Sequence, residues 1–169
     1  MFWYGLLIGA VGVERIAELV VSKRNWKWSQ QRGGTEVGTG HYPAMVALHT
    51  ALLAGCLIEV VVFNRPFVPS VGWSMLAIVV AAQVLRWWCI TTLGHQWNAR
   101  VVVIPGAQRV AGGPYRWVPH PNYVAVVIEG IALPLVHSAW LTAVVFTVLN
   151  AALLRTRIKT ENAALATLT

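Results

Sequence analysis

Aspartate is absent from the 169 residues; all six acidic side chains are glutamates. That excludes designs built on aspartate, such as the EF-hand loop, the Ser-His-Asp triad and the paired-Asp protease. Charge of either sign is scarce too, at 11% of residues against 57% hydrophobic, where an ordinary soluble domain carries about 25% and 45–50%. With a mean hydropathy of +0.60, the chain could not cover a water-facing surface, so its solvent is the bilayer. Cysteine is limited to Cys56 and Cys89, both inside apolar runs and neither in a C-x-x-C pair. They predict reduced packing residues, with no disulfide and no metal. No G-x-G-x-x-G follows a predicted strand, and Gly38-x-Gly40 is an isolated loop pair. A soluble Rossmann cofactor domain is thereby excluded. Neither a repeat of 20–50 residues nor a low-complexity tract is visible.

What remains is a set of apolar runs. A span needs about 20 mostly apolar residues, and five stretches qualify or nearly do: Phe2–Val21, Pro43–Phe63, Val71–Ile90, Tyr123–Val136 and Ser138–Leu154. The last two are short, with Pro134 near the turn, and predict a tight helical hairpin. The fold class is therefore all-α and integral to a membrane, with about five transmembrane helices in one domain over 1–169. Residues 1–92 supply three spans. Residues 93–169 supply a cap loop, the hairpin and a C-terminal helix. The net charge of +7 sits in alternate gaps, which argues for membrane orientation and against nucleic-acid binding. Lys23, Arg24, Lys27 and Arg32 follow the first run; Arg100, Arg109 and Arg116 follow the third; Arg155, Arg157 and Lys159 follow the fifth. The positive-inside rule then predicts a multi-pass protein with its N-terminus outside and its C-terminus cytoplasmic. Trp3, Trp73 and Trp140 mark one interface; Trp26, Trp28, Trp87, Trp88, Trp97 and Trp117 cluster toward the other. The first run lacks a basic n-region and Glu14-Arg15 stands where cleavage would occur, so it predicts an uncleaved helix.

Two loops differ in character. Residues 29–40 are rich in Gly, Gln and Thr and predict a plain loop. Residues 93–123 are too polar to span, too aromatic to be disordered, and contain a β-like valine run over Arg100–Ile104; they predict a folded cap. Ionisable groups inside apolar runs are expensive and default to functional or paired. Glu14, Arg15 and Glu18 predict an ion-paired cluster facing the bundle. Glu129 reads either as a catalytic base or cofactor contact, or as a buried, protonated structural acid. Glu59 predicts an interfacial residue. His41 and His49 are eight apart, poor spacing for a metal; core or interface placement, or a substrate-side contact, are the readings open to them.

The run Gly113-Pro114-Tyr115-Arg116-Trp117-Val118-Pro119-His120-Pro121-Asn122-Tyr123 resembles the GPYRxxRHPNY signature of the isoprenylcysteine carboxyl methyltransferase family of membrane enzymes. Arg157-Ile158-x-x-Glu161-Asn162 is similar to that family's R-I-x-x-E-E ending, and Leu93–Trp97 and Pro105-Gly106 match in order. In the first half, Glu14-Arg15-x-x-Glu18-Leu19, Ser22-x-Arg24-Asn25 and Gly40-His41-Tyr42-Pro43-x-Met45-Val46 resemble a bacterial subgroup similar to alkylpyrone O-methyltransferases. Pro119 replaces an arginine and Asn162 a second glutamate. The resemblance implies S-adenosylmethionine as co-substrate without a metal, and Tyr115, His120, Pro121, Tyr123, Arg157, Glu161 and Asn162 as its binding residues. Arg157 and Glu129 are the candidates for catalysis. It further implies O-methylation of a lipophilic alkylpyrone- or alkylresorcinol-type acceptor, contact with membrane lipid, and a functional link to a type III polyketide synthase. Prenylcysteine-type carboxyl methylation, a nicotinamide-dependent membrane reductase of similar fold, and a non-enzymatic scaffold are the alternatives.

Residue chemistry runs beside the resemblance. Pro119 and Pro121 flank His120, fixing local φ and keeping its backbone out of a helix. Arg157 and Glu161 are four apart, so one helix face offers opposite charges to the carboxylate and ammonium of an amino-acid tail. The bland readings are a histidine satisfying a backbone carbonyl, an arginine anchoring the membrane edge, a solvated glutamate, and Tyr115 and Tyr123 as interfacial aromatics.

Overall fold

The computed structural model describes residues 2–108 and 110–166. Five helices carry the chain: α1 (Phe2–Gln30), α2 (His41–Val62), α3 (Pro69–Leu93), α4 (Pro121–Leu135) and α5 (Trp140–Ala166). Arg109, counted above among the orienting charges, lies outside the described residues. Helices α2, α3 and α5 are long and apolar enough to cross a membrane. The 15-residue α4 is too short for a full crossing at 1.5 Å per residue. Helix α1, expected to span over Phe2–Val21, is not among the helices apolar enough to do so, and it continues nine residues further, to Gln30. The expected hairpin is α4–α5, and the C-terminal helix is an unbroken extension of the fifth run.

Packing is inside out relative to a soluble protein. Tyr4, Ile8 and Val11 of α1 meet Leu52, Cys56 and Val60 of α2, Val79 of α3, Leu133 of α4 and Phe146 of α5 in one buried cluster. Val13, Ile16, Val20, Ile58, Val84 and Val148 point outward and are exposed. In lipid such a surface has no reason to bury itself, so close packing holds the helices together. Gly130 of α4 shows this: a Cβ there would run into the Phe146 ring of α5. Both cysteines are buried and free.

At the Trp3 end the bundle is shut. Trp3 stacks on Trp73, and Phe67 packs edge-on against both. Glu59 corrects its interfacial reading. It is 4% exposed and accepts from the backbone N–H of Leu141 (3.1 Å) and Thr142 (2.6 Å). Helix starts leave such groups unpaired, and they favour a carboxylate. Arg65 Nη2 lies 2.9 Å from the same carboxylate.

The opposite end is open and polar. Here the plain-loop reading of residues 29–40 needs correction. Strand β1 (Thr35–Val37) pairs antiparallel with β2 (Val101–Val103), in the register Glu36↔Val102. The valine run was legible as a strand; its partner was not, because three residues of mixed polarity carry no alternation signal. Arg100 Nη1 reaches Glu36 at 2.5 Å across this clasp. Along α1, Ser22, Asn25 and Ser29 face inward and are buried. Asn25 Nδ2 donates to Gly94 O and Trp97 O, and Ser22 Oγ to Asn98 Oδ1. These bonds fix the start of the cap, and Trp97, expected at an interface, is 3% exposed beneath α1.

Candidate functional site

One cavity of about 220 Å³ opens between the cap and the helix bundle. Its wall along α5 runs from Ala164 to Asn150, a rise of about 21 Å along the helix. One end is polar and adjoins the cap; the far end lies deeper in the bundle, where apolar Leu53, Val126, Leu153 and Leu154 line it together with Arg15, Glu18, His49 and Arg86.

The cap end gathers most of the residues singled out from the sequence. His120 takes a non-helical backbone just before α4 (φ −131°, ψ 62°), and Pro121, lacking an N–H, begins the helix. This turns the His120 ring toward α5, where Nε2 donates to Asn162 Oδ1 at 3.0 Å. The Nδ1 atom sits 3.7 Å from Glu161 Oε2. Tyr123 stacks on the His120 ring at 5.5 Å and donates from its hydroxyl to Glu161 Oε2 at 2.6 Å. Arg157 places its guanidinium carbon 5.9 Å from the Tyr123 ring centre and donates from Nη2 to Ala99 O at 2.8 Å. Tyr115, on the short 3₁₀ turn Gly113–Arg116, lines the same space, and burial holds its hydroxyl well above the usual tyrosine range. Pro121 is buried and does not line the cavity; its part is to aim its neighbours.

The two departures from the family signature have visible consequences. Asn162 keeps a hydrogen bond to His120 where a carboxylate would have added charge. Pro119 is exposed.

Glu129 is placed elsewhere. It is buried, does not line the cavity, and both its oxygens accept from Arg15 Nη2 at 2.6 and 2.7 Å. Arg15 thus pairs with Glu129 and stands between it and the cavity. Arg15 Nη1 also reaches Glu18 Oε2 at 2.7 Å, so the expected cluster in α1 is present. Its larger half was missed: Arg86 of α3 grips Glu18 through Nε and, at 2.7 Å, through Nη2. Gln83 bonds Glu14 and Arg15, while Trp87 Nε1 donates to Glu14 at 2.6 Å. A lone arginine inside the third apolar run was the available signal.

The cap end suits S-adenosylmethionine. Arg157 keeps a buried Nε without a partner, and Asn122 a buried Oδ1. Both residues line the cavity beside the Glu161 carboxylate. Buried polar groups rarely stay unpaired, and this trio matches the carboxylate and ammonium of an amino-acid tail. No group of three or more potential metal ligands occurs among the described residues.

Comparison with known proteins agrees. The family model "Isoprenylcysteine carboxyl methyltransferase (ICMT) family" matches residues 75–167, which contain α4, α5 and the cap. Over 166 residues, 98% of this chain and 96% of the relative, the sequence is 37% identical to "Uncharacterized protein YpbQ" of Bacillus subtilis (strain 168). Over the same shares it is 27% identical to an "Uncharacterized protein" of Haemophilus influenzae. The membrane-spanning helices, the cap-end site and these matches agree: the chain belongs to the isoprenylcysteine carboxyl methyltransferase family, membrane methyltransferases that use S-adenosylmethionine.

Proposed function

We propose that the protein transfers a methyl group from S-adenosylmethionine to an oxygen of a lipophilic acceptor that enters from the bilayer. The observation that carries this is the cavity itself, polar at the cap and apolar further along α5. When bound, the co-substrate supplies an electrophilic methyl group on a sulfonium. The chain's own part is then chiefly placement, because holding the acceptor oxygen in line with that methyl removes most of the entropic barrier. Arg157 and Glu161 hold the amino-acid tail; His120 and Tyr123, fixed by Asn162 and Glu161, form the wall against which it lies. Arg15 and its partners Glu129 and Glu18 brace the helices behind.

The acceptor class we favour is an alkylpyrone- or alkylresorcinol-type polyketide, with a type III polyketide synthase as its source. Carboxyl methylation of a prenylcysteine is the second reading, favoured by the family match itself. In the membrane the cap and C-terminus face the cytoplasm and the Trp3 end faces out. Accessibility labelling of the single variants Arg65→Cys and Arg116→Cys tests this. Labelling of Arg116→Cys from the outer face overturns it.

Methyl transfer is tested in liposomes with acceptors of graded tail length and with tail-less analogues. Expressed per lipid, turnover depends weakly on tail length, because a tail leaving lipid for an apolar groove gains little. Efficient turnover of a tail-less acceptor at micromolar bulk concentration, with no gain from a tail, would refute entry from the bilayer.

A further inference from the structure

Six buried side-chain polar atoms have no partner among the described residues, and four of them belong to residues lining this one cavity. Arg157 and Asn122 are at the cap end already assigned. The other two, Arg86 Nη1 and Asn150 Oδ1, are at the far end, where methyl donation uses nothing. His49 of α2 lines that end as well. Its Nδ1 lies 2.9 Å from Met45 O. A carbonyl can only accept, so the ring proton is on Nδ1, and Nε2 is left with a lone pair. Phe146 packs edge-on against the ring at 5.5 Å, and Arg86, Arg15 and Glu18 lie within electrostatic reach of it.

Charge decides what this end can take. The carboxyl groups of Glu14, Glu18 and Glu129 already face the guanidiniums of Arg15 and Arg86, three acids to two bases. No positive charge is left over for an anion, and a carboxylate placed here would face Glu18 away from water. A donor (Arg86 Nη1) and an acceptor (His49 Nε2) are on offer.

We propose that His49 and Arg86 form the acceptor site, and that it takes a neutral ring carrying a hydroxyl and a second oxygen, a phenol or enol in place of a carboxylate. This rests on the methyl-transfer reading. The hydroxyl donates to His49 Nε2, and the second oxygen accepts from Arg86 Nη1. On transfer, the hydroxyl proton passes to Nε2 and the oxygen's electron pair forms the new C–O bond. The C–S bond breaks, its pair staying on sulfur. The imidazolium faces Glu18 until the proton leaves through the cavity.

The test is equilibrium binding to the full chain in nanodiscs, without S-adenosylmethionine. The probes are 5-pentadecylresorcinol, its dimethyl ether and the carboxylate N-acetyl-S-farnesylcysteine, all expressed per lipid. The wild type binds the diol at least tenfold more tightly than either rival. His49→Phe keeps the contact with Phe146, and Arg86→Lys keeps a cation opposite Glu18; each brings the preference below threefold. S-adenosylmethionine affinity stays within threefold in both, which certifies the fold, and either variant alone suffices if the other does not fold. Equal binding of diol and ether by the wild type, tighter binding of the carboxylate, or a tenfold preference surviving in both variants overturns the proposal. A wild type that prefers the diol but binds no S-adenosylmethionine would overturn the methyl-transfer reading and leave this binding site standing.

Discussion

Glu129 and Glu161 are the same side chain put to opposite uses. Glu129 is closed in by Arg15 within the bundle, while Glu161 meets the Tyr123 hydroxyl and the edge of the His120 ring and remains on the cavity wall. A carboxylate whose charge is spent on a neighbour in a dry interior is architecture. One whose partner is a neutral hydroxyl still has charge to offer a ligand. The difference lies in what faces each acid from another helix, which sequence position does not reveal.

Substitutions separate these roles most sharply at Arg15. Arg15→Ala leaves Glu18 and Glu129 short of a partner, and breaking a buried pair in this way costs about 3–5 kcal/mol. Thermal unfolding in detergent should show the largest drop of any variant here, with cofactor binding lost only through unfolding. Next comes Gly130→Ala, which overpacks α4 against Phe146 at about 1–3 kcal/mol. Its melting temperature falls, but calorimetric affinity for S-adenosylmethionine in the folded fraction does not. His120→Ala and Glu161→Ala invert that pattern. Affinity weakens at least tenfold, about 1.4 kcal/mol, while the melting temperature stays near wild type; unchanged affinity in both would remove the cap end as the cofactor site. Smallest is Glu59→Gln, which trades a charged helix cap for a neutral one at about 0.3–1 kcal/mol. A drop as large as that of Arg15→Ala would mean that Glu59 does more than cap α5.

Legibility followed the range of the signal. Apolar runs gave the helices because a span declares itself within about 20 residues. The cap-end residues were readable because a local motif, with prolines around His120, predicts its own geometry, and because Arg157 and Glu161 repeat at helical spacing. Partners across helices were not readable. Nothing near Glu18 in sequence announces Arg86, and nothing near Glu59 announces the start of α5. The same holds for Ser22 and Asn25, whose motif was visible but whose purpose, gripping residues 94–98, appears only when α1 and the cap are seen together.

The β1–β2 clasp also sets an order of assembly. Strand β1 leaves the ribosome soon after α1, but its partner follows only after α2 and α3, more than 60 residues later. Until then the inward side of α1 at Ser22 and Asn25 has nothing to hold. Contacts so distant along the chain form late, because a long loop must close first. The cavity wall is therefore finished last, by α5 arriving against a cap already clasped. A chain stalled after α3 would hold a membrane anchor and no site.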